Sequence, residues 1–210
     1  YKRQVDKLIA KEDAKELNLP AETQAELRNV FEGASNDTSK YWVQFEDLGE
    51  SASPVVITRN EFMRRMKDMA AMSGTTNMYG NLPETVNLVV NVSHPLVKTV
   101  IEQKDKSLSE KLKKFNSEVE PLTKQLDELK KSTDNKKDEE IPQAHKDEMD
   151  ELNKKIEKVN SSKSEALKAF GKDNKLAKQL IDLALLANNM LKGEDLSRFV
   201  KRSVELIKAK

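Results

Sequence analysis

Residues 173–210, DNKLAKQLIDLALLANNMLKGEDLSRFVKRSVELIKAK, predict two helices that are too apolar to serve only a monomer of this size. With 100° per residue, the first helix has one broad apolar face, formed by Leu176, Ala177, Leu180, Leu183, Ala184, Ala187, Met190 and Leu191. Ile181, Leu185 and Leu186 fall outside this face and interrupt the polar side, which carries Lys178, Gln179, Asp182 and Asn189. A helix that is apolar on more than one side needs more than one neighbour.

The second helix follows a predicted stop at Gly193, where glycine can take the left-handed conformation and Asp195 can cap the next helix. Its apolar side is formed by Leu196, Phe199, Val200, Val204, Leu206 and Ile207, and its polar side by Arg198, Lys201, Arg202 and Glu205. Two short helices cannot close a core alone, but two copies related by a twofold axis form a four-helix bundle. We therefore interpret this segment as a dimerisation hairpin. The alternative is an ordinary terminal hairpin packed on its own domain.

The composition indicates a long, charged helical segment beside an ordinary core. Charged residues make up 35% of the 210 residues, against about 25% in an average globular domain. The net charge is only +1, so no excess of positive charge over the whole chain favours binding to nucleic acid or to a membrane. Cysteine is absent, which excludes disulfides and thiolate metal sites.

The ends of the chain suggest a cytoplasmic fragment. No secretory signal opens the sequence, and no apolar run approaches the roughly 20 residues of a membrane span. The first residue is Tyr1 and not methionine. We therefore expect a piece of a larger cytoplasmic protein with no membrane partner.

Residues 1–101 predict a small α+β domain. Val5, Leu8 and Ile9 have helical spacing, and Pro20 opens a second helix that Gly33 ends. Strands are predicted at 41–46, 54–58 and 86–92 from their aromatic and β-branched residues. The third strand is nearly continuously apolar and is expected to be central. Three strands with flanking helices give an α+β fold with a three-stranded sheet.

A methionine-rich helix is predicted between the second and third strands. Phe62, Met66 and Met69 share one face, and Met63 and Met72 broaden it. Because methionine is unbranched and polarizable, such a face can repack against many apolar partners. The alternative is that these methionines fill the core.

Residues 102–171 account for the excess of charge. Alternating spacings of four and three produce a heptad seam at Leu108, Leu112, Phe115, Val119, Leu122, Leu126 and Leu129, continued by Met149, Leu152, Ile156 and Val159. A polar turn at 132–140 predicts an antiparallel coiled-coil hairpin, and Pro121 should kink or divide its first helix. The alternative is one long helix that pairs with another chain. The remaining segment, 172–210, holds the dimerisation helices.

Residues that carry catalytic chemistry are missing. His94 and His145 are the only histidines, and neither has ligand-spaced neighbours, so no metal site is indicated. His94 precedes Pro95 at the end of the third strand, which favours a buried or turn-capping role. No glycine-rich phosphate loop and no Ser-His-Asp set is evident. We predict a non-enzymatic chain with no catalytic, cofactor-binding or metal-binding residue.

The third strand and its continuation carry a family resemblance. Residues 88–97, LVVNVSHPLV, resemble the strand and Asn-x-x-His-Pro-Leu-Val sequence that enters a helix in the C-terminal domain of heat-shock protein 90 chaperones. Residues 53–57 are similar to that domain's second strand, and 183–187 with 195–200 resemble its dimerisation helices. The resemblance covers 5–102 and 172–208 and favours the bacterial form, because the acidic tail of eukaryotic cytosolic members is absent. The charged arm has no counterpart in the common family pattern; it could be a spacer, a lever, a docking site or an inert insertion.

This resemblance implies an ATP-dependent chaperone that acts in protein folding and heat shock. Its ATP and Mg²⁺ would bind an N-terminal domain absent from this chain, which would itself hold no cofactor. Its partners would be a second copy, non-native client proteins and co-chaperones, with no nucleic acid. By resemblance, the client-binding residues are Phe62, Met63, Met66, Met69 and Met72, and the dimer-interface residues are Leu183, Leu186, Met190, Leu196, Phe199 and Val200.

Two other classes of function remain open from the residues alone. One is a stand-alone coiled-coil adaptor whose arm is the working surface, and the other is an enzyme with an undetected site. A nucleic-acid role is weakened because acids nearly equal lysines on the arm.

Overall fold

The computed structural model describes Leu17, residues 19–35, 40–59, 86–133 and 142–208, and the single residues Arg65, Met69 and Met72. The elements within these residues are α1 (Ala21–Ala34), β1 (Tyr41–Glu46), β2 (Val55–Arg59), β3 (Val86–Asn91), α2 (Pro95–Thr133), α3 (Gln143–Asp173), α4 (Lys175–Ala187) and α5 (Gly193–Lys208). The fold is α+β, as predicted. The helix predicted around Val5, Leu8 and Ile9 lies outside the described residues.

The three strands form one mixed sheet in the order β1-β3-β2. Strand β3 is central, which confirms the prediction from its continuous apolar sequence. It pairs in parallel with β1 and antiparallel with β2, so Leu88 lies between Val43 and Ile57. All three strands match their predicted bounds to within one residue.

One face of this sheet forms the core with α1 and α4. The buried side chains on this face are Val43, Val55, Ile57, Val86, Leu88 and Val90. Helix α1 contacts β1, and α4 contacts β2 and α1. Leu27, Val30 and Phe31 of α1 are fully buried, as their helical spacing predicted. Helix α4 therefore belongs to the core of its own domain through one of its faces.

Two glycines allow α1 and the C-terminal end of α3 to meet backbone to backbone. A Cβ atom at Gly33 would lie 2.1 Å from the carbonyl oxygen of Lys168, and one at Gly171 would lie 1.9 Å from that of Val30. Gly33 was predicted to end α1, and the helix ends one residue later, at Ala34. Gly33 is needed for close approach and not for a helix stop.

The chain divides into two compact units, one formed by Tyr1–Glu102 with Lys168–Lys210 and the other by Gln103–Leu167. In the second unit, every residue of the predicted seam is buried or half-buried, and Leu108, Leu112, Leu126 and Leu152 are the most buried. Lys163 of α3 donates to Asn116 Oδ1 of α2 at 2.9 Å, so the two helices adjoin there.

Pro121 does not divide α2, which contradicts one of the outcomes expected from the sequence. The helix continues from Pro95 to Thr133 with Pro121 inside it. Position 121 is exposed, so the carbonyl group that loses its helical donor can hydrogen-bond to water.

Candidate dimerisation and client-binding surfaces

Helix α4 has defined caps at both ends. Asn174 Oδ1 accepts a hydrogen bond from the Ala177 amide at 2.8 Å and caps the first turn. The helix ends at Ala187, where Asn189 takes a left-handed conformation with φ 56°. The predicted stop at Gly193 was therefore wrong by several residues, because asparagine takes the place expected for glycine. Gly193 also has a positive φ, 58°, but it begins α5, two residues before the predicted cap Asp195.

The buried face of α4 is rotated relative to the predicted one. Its buried apolar residues are Ala177, Leu180, Ile181, Ala184 and Leu185. Leu183 and Leu186 are 47% and 37% exposed. Leu183 was expected on the main apolar face, and Ile181 and Leu185 outside it. The core of the domain buries Ile181 and Leu185 and leaves Leu183 exposed. Contacts with α1, β2 and α5 give α4 the several neighbours that its apolar composition required.

A polar network joins α4 to α5. Arg202 donates through Nη2 to Asp182 Oδ2 and through Nε to Gln179 Oε1, the latter at 2.9 Å. Gln179 Nε2 donates to Ser203 Oγ at 2.6 Å, and Ser203 Oγ donates to the Phe199 carbonyl at 2.9 Å. Asp182 and Arg202 are both largely buried. The two helices are thus held in one register by directional contacts.

At the more exposed edge of this hairpin, Lys175 Nζ lies 2.9 Å from Glu205 Oε2. Hydrogen bonding to Lys175 lowers the pKa of Glu205. At the buried centre, burial raises the pKa of Asp182 above its usual value, and the attraction of Arg202 offsets only part of that effect. The net stabilisation by such a buried pair is small, because the cost of removing both charges from water offsets their attraction.

Helix α5 has two different apolar sides. Its half-buried residues include Leu196, Phe199 and Leu206, interspersed with Arg202 and Ser203. Its other apolar side is formed by Val200, Val204 and Ile207, which are 47–74% exposed. Together with Leu183 and Leu186 of α4, these three residues are the exposed apolar set of the hairpin.

The six residues that the resemblance assigned to a dimer interface fall into two groups. Leu183, Leu186 and Val200 are exposed. Met190, Leu196 and Phe199 are half-buried, with Met190 in the turn between α4 and α5. Val204 and Ile207 are at least as exposed as Leu186, although they were not in the predicted interface.

Two of the five predicted client-binding residues can be located. Met69 and Met72 are helical, and they are 65% and 90% exposed. Phe62, Met63 and Met66 lie outside the described residues.

The junction between β3 and α2 is organised by Asn91 and His94. Asn91 is fully buried; its Oδ1 accepts from the Leu48 and Ser93 amides, and its Nδ2 donates to the Gly49 and Ser53 carbonyls. His94 Nδ1 accepts from the Leu96 amide at 3.1 Å, and the His94 carbonyl accepts from Val97 and Lys98. The turn-capping role predicted for His94 is confirmed. These contacts give the Asn-x-x-His-Pro sequence a structural role at this junction.

Within the described ranges, no three His, Cys, Asp or Glu side chains are grouped as a metal site would require. In the same ranges, no helix combines the length and the apolar character needed to cross a membrane.

Sequence reasoning missed the importance of Asp182 and Arg202. Asp182 was assigned to the polar side of α4 and Arg202 to the polar side of α5. The available signal was an acid between Ile181 and Leu183, in the most apolar part of the hairpin. A buried carboxylate at such a position requires a cationic or hydrogen-bonding partner.

Comparison with known proteins identifies relatives of the whole chain. Over 205 residues, 97% of its length, the chain is 45% identical to the chaperone protein HtpG of Bacteroides fragilis. Over the same length it is 41% identical to HtpG of Bacteroides thetaiotaomicron and 36% identical to HtpG of Porphyromonas gingivalis. The chain spans 30% of the length of these curated relatives. No protein-family model and no solved structure matches it.

The chain belongs to the heat-shock protein 90 family of molecular chaperones and matches the C-terminal part of its relatives. Within that family, these relatives are the bacterial HtpG chaperones. The match extends through the charged arm, because it covers nearly the whole chain.

Proposed function

We propose that this chain is the C-terminal part of an ATP-dependent HtpG-type chaperone, where it provides homodimerisation and part of the client-binding surface. The exposed apolar set on α4 and α5 is the observation that carries the proposal. Leu183, Leu186, Val200, Val204 and Ile207 are between 37% and 74% exposed. Apolar residues gathered on one hairpin are typical of an interaction surface. A twofold axis would place this hairpin against its copy in a four-helix bundle.

Client binding is proposed for the methionine-rich segment, with Phe62, Met63, Met66, Met69 and Met72 as contacts. The exposure of Met69 and Met72 supports this role. A flexible thioether side chain can adapt to apolar segments of different shape, which suits partners that are not folded. Co-chaperones belong to the proposal as further partners, whereas nucleic acid and membranes do not.

The arm, residues 102–171, is proposed to be an antiparallel coiled-coil hairpin within one chain. The burial of its seam and the hydrogen bond between Lys163 and Asn116 support this arrangement. The comparisons with chaperones do not favour the alternative of a stand-alone coiled-coil adaptor.

Catalysis is proposed to take place in a part of the HtpG-type chaperone that lies outside this chain. ATP and Mg²⁺ would bind outside this chain, which has no proposed catalytic or cofactor residue and would act in the cytoplasm. Dimerisation through one end of a long protein raises the effective concentration of the opposite ends, so that nucleotide can close them in an intramolecular step. The hairpin would thereby contribute to an ATPase cycle without taking part in its chemistry.

Sedimentation equilibrium of this chain tests the dimer. We expect a dimer for the wild type and a folded monomer for the double variant Val200→Asp and Val204→Asp. The matched control is Lys201→Asp, which makes the same change of net charge at an exposed polar position of the same helix. It should remain dimeric. Circular dichroism checks that each variant is folded. A monomeric wild type, or a double variant that dimerises as tightly as the control, would contradict the proposed interface.

A further inference from the structure

Helix α5 is an amphipathic helix on the surface of its domain, and it leaves one of its apolar sides exposed. Such a helix ordinarily turns its most apolar side inward. Here Val200, Val204 and Ile207 are exposed, while Arg202 and Ser203 lie against α4. Leu196, Phe199 and Leu206 are half-buried, so α5 has two apolar sides and apolar burial alone does not decide which of them faces α4.

A second orientation of α5 would bury the exposed side chains in the same monomer. On a wheel of 100° per residue, the outward stripe of Val200, Val204 and Ile207 lies roughly 120° from the inner side of the helix. Rotation by that amount would turn the stripe toward α4. It would also remove Arg202 from Asp182 and Gln179, and Ser203 from Gln179, and it would turn Phe199 and Leu206 away from α4.

The contacts of Arg202 are suited to prevent this rotation. Gln179 and Asp182 are three residues apart, so they lie on the same side of α4. The planar guanidinium donates to both through different nitrogens, and this geometry constrains the rotation and the register of α5 together. Other charges near the Asp182 carboxylate are Lys178 on α4 and Asp195 on α5.

We propose that the Asp182–Arg202 ion pair is a positioning element that keeps the apolar stripe of α5 directed outward, available to a second copy of the chain. This inference rests on the homodimerisation proposed above and adds the device that exposes the interface. Arg202 acts through the orientation of α5 and is not itself assigned to the interface. Without the pair, α5 turns its stripe toward its own domain and dimerisation weakens.

The first test measures the dimer dissociation constant by sedimentation equilibrium. Arg202→Met keeps most of the side-chain length but removes the charge and its donors, and it should raise the dissociation constant by roughly tenfold or more. The charge-swapped variant, Asp182→Arg with Arg202→Asp, should restore most of the affinity. The matched control is Arg198→Met, because Arg198 is exposed and pairs with Asp195 on its own helix. It should stay within about twofold of the wild type.

The second test measures the orientation of α5 in the monomer. The chain has no cysteine, so a single Ile207→Cys substitution reports the exposure of the stripe through its rate of maleimide labelling. Labelling is done at a dilution where sedimentation shows only monomer. Adding Arg202→Met should slow the reaction severalfold. Lys201→Cys is the control, since position 201 remains outward in both orientations, and its rate should not change.

The two tests separate failure of the positioning role from failure of the dimer. A wild-type chain that never dimerises contradicts the proposed function, while the labelling comparison still tests the orientation of α5. Dimerisation and labelling that are both unchanged by Arg202→Met would overturn the positioning role and leave the dimer intact. Faster labelling at both cysteines would also overturn it, because the pair would then hold α5 folded on the domain and would not set its rotation.

Discussion

Gly171 of α3 is in backbone contact with Val30 of α1, so that a methyl group at position 171 would lie 1.9 Å from the Val30 carbonyl oxygen. Gly33 makes the reciprocal approach to Lys168. The crossing of these two helices is therefore as close as their backbones permit, and only glycine fits at either position.

Gly171→Ala should lower the free energy of unfolding by about 2 kcal/mol or more, because the helices must separate. Helix propensity alone predicts the opposite sign, a gain of about 1 kcal/mol. Urea denaturation distinguishes the two outcomes. Lys172→Ala, at the next and exposed position, should be nearly neutral. A Gly171→Ala variant that is more stable than the wild type would refute the close contact.

Asn91→Ala should destabilise the first unit by at least about 2 kcal/mol. The substitution leaves the Leu48 and Ser93 amides and the Gly49 and Ser53 carbonyls without the partner that the buried Asn91 side chain supplies. Chemical denaturation followed by circular dichroism measures the loss. Asn153→Ala, at an exposed position of α3, is the control and should change stability by less than about 0.5 kcal/mol. Equal stability of the two variants would show that the Asn91 contacts are dispensable.

The difference in stability between the wild type and Asp182→Asn should depend on pH with a defined sign. Burial raises the pKa of Asp182 above its ordinary value of 3.8, so the folded state keeps this proton at pH values where the unfolded chain releases it. The stability that Asp182 contributes is therefore fully present below the unfolded pKa and is lost as pH rises through the folded pKa.

Urea denaturation of both proteins at several acidic and neutral pH values measures this difference. The free energy of unfolding of the wild type, minus that of Asp182→Asn, should decrease with rising pH in the acidic range and then level off. Asp127→Asn, at an exposed position of α2, controls for the general removal of a carboxylate. A difference that grows with pH would mean that Arg202 outweighs burial.

Replacing Met69 and Met72 by serine should weaken the ability of the chain to keep an unfolding client in solution. The two side chains are exposed, so their removal should leave the free energy of unfolding within about 0.5 kcal/mol of the wild type. Light scattering of a thermally unfolding client measures the effect, and Arg65→Gln on the same segment is the control. A marked loss of stability would instead support the alternative in which the methionines fill the core.

Leu126→Ala in the arm should lower the free energy of unfolding by about 2–5 kcal/mol if the seam is closed within one chain, because truncating a buried leucine leaves a cavity. The unfolding midpoint should not depend on protein concentration when the measurement is made with Val200→Asp and Val204→Asp present. Lys124→Ala, two residues away and exposed, should be nearly neutral. A midpoint that rises with concentration would favour the alternative of one long helix pairing with another chain.

Much of the secondary structure was predictable because it depends on local patterns. Strand β1 begins and ends where its aromatic residues indicated, and β3 is central as its apolar sequence required. The helix boundaries were less predictable. Asn189 ends α4 where glycine was expected at position 193, and Gly33 lies inside α1, because asparagine can also take the left-handed conformation and glycine also permits close helix crossings.

The sequence by itself determined the α+β class, the three strands, the charged arm with its seam, and the presence of an apolar hairpin at residues 173–210. It also carried the resemblance that identified the family. Each of these features follows from the spacing or the order of residues that are close together in the sequence.

Only the tertiary structure decided which side of each hairpin helix is buried. Leu183 and Ile181 are equally apolar, and the core of the domain selects Ile181 while Leu183 stays exposed. Asp182 and Arg202 are separated in sequence, and each looks like part of a solvated face until α4 and α5 pack together. The physical reason is that burial depends on neighbours supplied by distant segments, and periodicity along one helix does not contain that information.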